Sequence, residues 1–291
     1  MTDTSKYHLP KGTSADGPYD LLVTPESAGW GHSGLRILTL GPGQAHTLST
    51  GDSEFLVLPL TGSCTVTTDG TAFELTGRTG VFASATDFAY LPRESVALIS
   101  SADGGTFALP SARTERSSLS ARYGPQKNVP VELRGAGACS RQVNNYCLPG
   151  TFEAEQLLVC EVLTPGGNWS SYPPHKHDTA RPGQESELEE IYYFQVAGED
   201  GFAYQRVYGT ADRPIDVLAE VRSGDTVLIP HGWHGPSIAA PGYDLYYLNV
   251  MAGPGQDRAW LICDDPAHGW VRGTWESQDV DDRLPFEGLT Q

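Results

Sequence analysis

Short apolar runs recur along the chain, most of them alternating with polar positions. Phe55-Leu56-Val57-Leu58, Thr65-Val66-Thr67, Ala97-Leu98-Ile99, Leu157-Leu158-Val159, Ile191-Tyr192-Tyr193-Phe194, Thr226-Val227-Leu228-Ile229 and Asp244-Leu245-Tyr246-Tyr247-Leu248 are rich in β-branched or aromatic side chains. Gly, Pro, Asp or Ser lies near most of their ends. A period of two with this punctuation predicts short strands joined by tight turns. No stretch offers an amphipathic helix of more than about three turns. The chain therefore reads as all-β.

The pattern also falls into two halves. Ser53-Glu54-Phe55-Leu56-Val57-Leu58 runs to Gly62, and a later strand closes in Leu91-Pro92-Arg93; Glu189-Glu190-Ile191-Tyr192-Tyr193-Phe194 runs to Gly198, and a later strand closes in Ile229-Pro230-His231. An acid-led strand answered by a Pro-closed strand, twice over, suggests two similar β-barrels. The polar, Arg-bearing, Pro-bounded stretch at 110–137 reads as the linker or arm between them, giving expected domains of 1–137 and 138–291.

Composition agrees and adds exclusions. The 291 residues include 33 Gly and 21 Pro, as turn-rich β structure requires, and 39% are hydrophobic against 19% charged, which suits a buried core rather than disorder. Lys and Arg number 19 against 36 acids, a net charge of −17. So acidic a chain is not expected to bind nucleic acid or an anionic membrane, since phosphates attract a positive surface. An anionic ligand would need a local cation. Five scattered cysteines, none in a CxxC pair, are expected to be reduced thiols. No apolar leader or membrane-length segment is seen, so a cytoplasmic location is expected.

The chemistry gathers in the second half. In Pro173-Pro174-His175-Lys176-His177-Asp178 the two imidazoles stand two residues apart, on one face of a strand. Glu190 opens an aromatic strand, where an inward carboxylate is costly unless paired or metal-bound. Its neighbour Glu189 should face the other way, toward solvent. Gly224 to His234 then runs as turn, strand and Gly-bearing turn, ending near two histidines, His231 and His234. His175, His177, Glu190 and a third imidazole would hold one divalent ion with open positions. His234 is preferred over His231, which sits earlier in the turn.

These motifs resemble the two signatures of the cupin superfamily, whose fold is a small antiparallel barrel with the ion inside. The gap from His177 to Glu190 is longer than usual, with 179–188 inserted as an expected loop at the barrel mouth, and Gly232-Trp233-His234 is one residue short of the common spacing. A closer resemblance spans nearly the whole chain. YHLPKGTS, GPYDLLVTPESAGWGHSGL, PVELRGAG, PGGNWSSYPPHKHD, ELEEIYY and LYYLNVMAGP are similar to the 5-deoxy-glucuronate isomerases of bacterial inositol catabolism, relatives of the pectin-pathway uronate ketol-isomerases. The resemblance implies a bicupin that interconverts 5-deoxy-D-glucuronate and 5-dehydro-2-deoxy-D-gluconate, with His175, His177, Glu190 and His234 on the metal. Aldose–ketose exchange needs no redox step, so Zn²⁺ suffices, and Mn²⁺ or Fe²⁺ suits the same ligands. Alternatives are the pectin-pathway reaction, an iron-dependent cupin dioxygenase and a non-catalytic sugar-binding cupin.

Roles around the ion remain as sets of candidates. Tyr192 and Tyr247 are candidates for proton transfer, beside Glu190 itself or a bound water. Arg141, Lys176 and Arg181 are candidates for the substrate carboxylate, with Lys176 expected on the face opposite the imidazoles. Matching Glu54 to Glu190 and Pro92 to Pro230 puts Val96 where His234 would be. Only His46 precedes Glu54, so the first barrel is expected to be metal-free, with Glu54 a hydrogen-bonded group inside it. Free strand edges lead us to expect a homo-oligomer.

Overall fold

The structure, a computed structural model, describes residues 6–286. Its strands sort into two antiparallel barrels. In the first, Tyr19–Val23, Ser33–Leu40, Gly105–Arg113, Ser53–Thr68, Phe88–Leu91 and Arg122–Gly124 lie side by side in that order. Thr71–Arg78 and Val96–Ser100 pair with the far end of Ser53–Thr68, and Ala45–Ser49 pairs with Val96–Ser100. Ser53–Thr68 is one long bent strand, where the apolar pattern suggested two. Its bend lies at Gly62 (φ 77°), where a Cβ would stand 2.4 Å from the Gly104 carbonyl oxygen, so only glycine lets the sheet fold over itself there.

The second barrel has two facing sheets. One orders His8–Leu9, Thr226–Ile229, Glu189–Val196, Leu245–Ala252, Leu158–Thr164, Arg141–Cys147 and Val131–Arg134; the other orders Asp216–Val221, Ala203–Tyr208, Trp233–Ala239, His175–Lys176 and Cys263–Asp264. Outer strands alternate as a one-sided strand must, with Asp216–Val221 exposed at every second position, whereas Leu245–Ala252 is buried throughout because it lies between the barrel interior and the first barrel. The α-helices are single turns, Pro25–Ala28 and Val271–Thr274. None among the described residues is long and apolar enough to cross a membrane. All five cysteines are free, three of them buried.

Strand pairing departs from the expected boundaries. Gly105–Arg113 is a full strand of the first barrel, so the connecting arm begins after it. Val131–Arg134 pairs with Arg141–Asn144 in the second barrel, and the N-terminal His8–Leu9 pairs with Thr226–Val227 there as well. Conversely, Arg122–Gly124, just ahead of the second half, pairs with Phe88–Tyr90 of the first. The N-terminal arm thus covers an edge of the second barrel's sheet and the connecting arm an edge of the first's, where strands would otherwise be open.

The register also revises the repeat. Phe55 stands opposite Leu91 and Leu56 opposite Tyr90; Glu190 stands opposite Ile229 and Ile191 opposite Leu228. Phe55 therefore occupies the place of Glu190, and Glu54 corresponds to Glu189. With a side-chain period of two, this one-residue change moves Glu54 out of the barrel interior and onto the seam between barrels. There its carboxylate accepts the backbone N–H groups of Glu155, Gln156 and Leu157 (2.6–2.8 Å) and the Tyr90 hydroxyl (2.7 Å). Glu189 does the same in reverse, accepting N–H from Gly31, His32 and Ser33 at 2.7–2.9 Å, so it faces the first barrel rather than solvent.

Between these clasps lies a buried ion pair, Arg78 to Glu161, with both side chains fully buried. Glu161 also accepts from Tyr146 (2.9 Å), Tyr246 (2.8 Å) and Asn144 (3.1 Å), while Arg78 donates to the carbonyls of Pro59 (3.0 Å) and Ser84 (2.9 Å). The surrounding core draws Leu56, Leu58 and Ala108 from one barrel and Leu157, Val159, Ile191 and Val250 from the other. Arg78→Met is expected to cost about 3–5 kcal/mol, because it strands a buried carboxylate. Arg222→Met, at an exposed pair with Glu220, is expected to cost under about 1 kcal/mol. Denaturant midpoints of the two variants check this.

Candidate metal centre

His175 lies on a two-residue strand between Trp233–Ala239 and Cys263–Asp264, directly opposite His234 on one side and Asp264 on the other. His177 follows with its ring on the same side. The ring centroids of His175 and His177 lie 4.4 and 4.7 Å from that of His234, and one nitrogen of each of the three falls within 4.8 Å of the others. Glu190 reaches in from the facing sheet, its Oε2 3.1 Å from His177 Nε2 and 3.0 Å from His234 Nε2. All four side chains are buried. His231 stays outside this group, half-buried, with Arg213 and burial depressing its basicity.

The donor set fits a divalent cation. Glu190 Oε1 is buried without a hydrogen-bond partner and His234 Nε2, though 3.0 Å from Glu190 Oε2, is not aligned to form one, an expensive arrangement that a cation would relieve. The His234 Nδ1 lies 3.3 Å from the Gly232 carbonyl, which favours the tautomer with its Nε2 lone pair toward the cluster. Burial, reinforced by His234 and His177, holds His175 well below its usual basicity, so it offers a lone pair. Burial alone would raise Glu190, but the neighbouring imidazoles overcome it and keep the carboxylate ionised, at about 2. Three imidazoles and a carboxylate are ligands that zinc and other first-row ions accept.

Lys176, between the two histidines, points away from them, as the strand period requires. Its ammonium lies 2.6 Å from both Asp178 Oδ1 and the buried Glu185 Oε1, so it is neutralised and does not reach the cluster. Asp178 Oδ2 in turn accepts the Gly232 N–H at 2.8 Å. Lys176 and Asp178 thereby tie the His175–His177 segment to the turn that carries His234. Arg181 is likewise removed from the centre: the insertion forms a hairpin, Asp178–Arg181 with Glu185–Glu187, in which Arg181 pairs with Glu185 at the surface. With the segment 253–261, this hairpin lines a separate cavity of about 380 Å³.

Tyr192 and Tyr247 line the barrel interior, fully buried, with ring centroids 4.8 Å apart and Tyr192 6.1 Å from His234. Both hydroxyls are engaged by serines: Tyr192 with Ser171 (3.2 Å), Tyr247 with Ser171 (3.0 Å) and Ser170 (2.9 Å). Asn249, on the same face as Tyr247, is buried with Oδ1 unpartnered.

Arg141, the third cation candidate, shares a cavity wall with His175. It lines a cavity of about 160 Å³ together with His175, Arg134, Trp260, Ile262 and Arg272. Arg134 stands opposite Arg141 on the neighbouring strand. Arg134 pairs with Glu132, and Arg272 pairs with Asp264. Arg141 donates only to the Cys139 carbonyl (3.0 Å) and has no carboxylate partner among the described residues. Burial and the two neighbouring arginines depress it to about 10. Sequence reasoning missed Arg134, Trp260 and Arg272. Arg134 stands in the quoted PVELRGAG string, but nothing local marks the C-terminal residues as part of a wall.

Two antiparallel barrels in tandem, one enclosing imidazoles and a carboxylate, define a bicupin. The chain also matches the model of the KduI/IolB family over residues 8–271. It is 44% identical over 251 residues to a 5-deoxy-glucuronate isomerase of Geobacillus thermodenitrificans (strain NG80-2), covering 86% of this chain and 89% of the relative. To the 5-deoxy-glucuronate isomerase of Bacillus subtilis (strain 168) it is 37% identical, covering 86% and 91%. An IolB-like protein from Salmonella typhimurium LT2 superimposes with a TM-score of 0.85 at 34% identity, covering 91% and 98%. An oxalate decarboxylase from Bacillus subtilis (TM-score 0.57, 13% identity, covering 84% and 74%) shares the fold alone. This chain belongs to the KduI/IolB family.

The double variant His175→Ala/His177→Ala is expected to bind no divalent ion while keeping its β-sheet spectrum, as metal analysis and circular dichroism will report. Lys176→Met leaves all four ligands in place but releases their frame. Metal affinity, read by titration of the stripped protein, is expected to fall about 10–100-fold, and Lys176→Arg to recover part of it.

Proposed function

We propose that the protein is a metal-dependent aldose–ketose isomerase that interconverts 5-deoxy-D-glucuronate and 5-dehydro-2-deoxy-D-gluconate. One observation carries the sugar-acid part of this reading: a buried guanidinium, Arg141, without a counter-ion in the cavity that His175 also lines. The relatives named as 5-deoxy-glucuronate isomerases support the same reaction. His175, His177, Glu190 and His234 hold the ion, with Zn²⁺ the expected occupant and Mn²⁺ or Fe²⁺ acceptable to the same donors. When bound, the ion supplies Lewis acidity toward the oxygens at C1 and C2, where negative charge develops.

The chain's own groups do the rest. Arg141 takes the carboxylate in a bidentate pair and so fixes which end of the substrate faces the imidazoles. In the aldose-to-ketose direction a proton leaves C2 and arrives at C1. With Glu190 holding the ion through one carboxylate oxygen, its other oxygen is the buried group that holds that proton. A second proton must pass from the C2 hydroxyl to the C1 oxygen. The hydroxyls of Tyr192, Ser171, Tyr247 and Ser170 form a connected chain that can accept and return it. The tyrosines then act as relays, with Glu190 the base.

Purified, metal-loaded protein given 5-deoxy-D-glucuronate and, separately, the keto-uronate of pectin breakdown is expected to turn over the first preferentially. Failure to isomerise either with Zn²⁺, Mn²⁺ or Fe²⁺ would refute the reading. Arg141→Gln is expected to raise KM for the acid about 10–100-fold, the loss of one charge-assisted pair of hydrogen bonds.

A further inference from the structure

The cavity beside the imidazoles holds three arginines, yet only one carries an unanswered charge. Arg134 gives Nε and Nη2 to the two oxygens of Glu132, at 2.9 and 2.8 Å. Arg272 gives Nη2 to Asp264 at 2.7 Å and Nε to its other oxygen. Arg141 has a neutral carbonyl, and the ring of Trp275 with its centroid 5.4 Å away. Trp260, another wall of the same cavity, has a buried Nε1–H with no acceptor. Local spacing explains the accounting. Glu132 and Arg134 are two apart on one strand and share a face, and Asp264 is brought in by the strand that pairs with His175.

We propose that this chamber is built to select a ligand headgroup of a single negative charge, a carboxylate, over both neutral sugars and phosphorylated ones. The proposal rests on the sugar-acid reading above and specifies how that acid is chosen. A carboxylate cancels the one free charge on Arg141 and leaves no excess. A neutral aldose leaves that guanidinium buried without a partner. A phosphate monoester brings a charge of about −1.5 to −2. Its excess charge meets Arg134 and Arg272 already paired, with the partly exposed carboxylates of Glu132 and Asp264 as the like charges that hold them. Glu132 and Asp264 are then specificity-determining residues that touch no substrate.

The test uses three unreactive probes of like length: D-gluconate, D-glucitol and D-glucitol 6-phosphate. Their affinities for the metal-loaded protein are measured by calorimetry. D-Gluconate is expected to bind at least tenfold more tightly than either of the others. Glu132→Gln unpairs Arg134 and is expected to narrow the gap between phosphate and carboxylate by tenfold or more, through tighter phosphate binding, with D-gluconate changed less than threefold. Asp264→Asn, which frees Arg272, gives a second route to the same result should the first variant fail to fold. Wild-type protein that binds the phosphate as well as the carboxylate, or a gap unchanged in both folded variants, would overturn the proposal. Turnover is scored separately. Isomerase activity with no charge selection would sink this inference alone, and charge selection without isomerisation would sink only the reaction.

Discussion

Three carboxylates on the seam hold the two barrels as one body. Glu54 and Glu161 are fully buried, and Glu189 is half-buried on the same seam. Each accepts hydrogen bonds from the opposite barrel, from backbone N–H groups ahead of a strand for Glu54 and Glu189 and from a guanidinium for Glu161, and Glu54 and Glu161 accept from tyrosines of their own barrel as well. Separating the halves would expose the apolar side chains of the seam to water and break these charge-assisted hydrogen bonds. The exchanged arms, His8–Leu9 and Arg122–Gly124, extend the same dependence to the sheet edges.

Among the described residues the repeated fold gathers a cluster of imidazoles in its second barrel. The two barrels share strand order and clasp, yet Phe55 fills the position that Glu190 holds in the second. Arg36 lies over that phenyl ring, 4.9 Å from its centroid, and His46 is bonded to the Tyr19 hydroxyl at 2.8 Å. The first barrel serves as a wall for the strand Leu245–Ala252 and the back of Glu189–Val196, the strands that aim Tyr247 and Glu190 inward. Around the centre nearly every charge is answered locally: Lys176 by Asp178 and Glu185, Arg134 by Glu132, Arg272 by Asp264. Arg141 stands apart in that company, without a carboxylate partner among the described residues.

Sequence and structure disagree most instructively over adjacent residues. Glu54 reads as the counterpart of Glu190 because both open strands, yet pairing shows it to be the counterpart of Glu189. A slip of one position reverses which side of a sheet a side chain occupies, and nothing in the local sequence gives the register. Lys176 shows the opposite case. Its place between two histidines reveals which way it points, but not that two carboxylates from beyond the strand would neutralise it. Arg141 was visible as a candidate cation; its lack of a counter-ion was not.

Alternation, turn residues and the spacing of His175, His177, Glu190 and His234 are short-range properties, and from them the sequence by itself determined a tandem β-barrel and the four groups that converge within it. Two-residue periodicity is enough to say which side chains share a face. Which charges are paired, which arm completes which sheet, and how Trp260 and Arg272 come to wall the cavity were decided only by the tertiary structure. Some of those contacts join residues more than a hundred positions apart, as His8 with Val227 and Arg134 with Trp260, and their energies depend on burial, which exists only once the chain has folded.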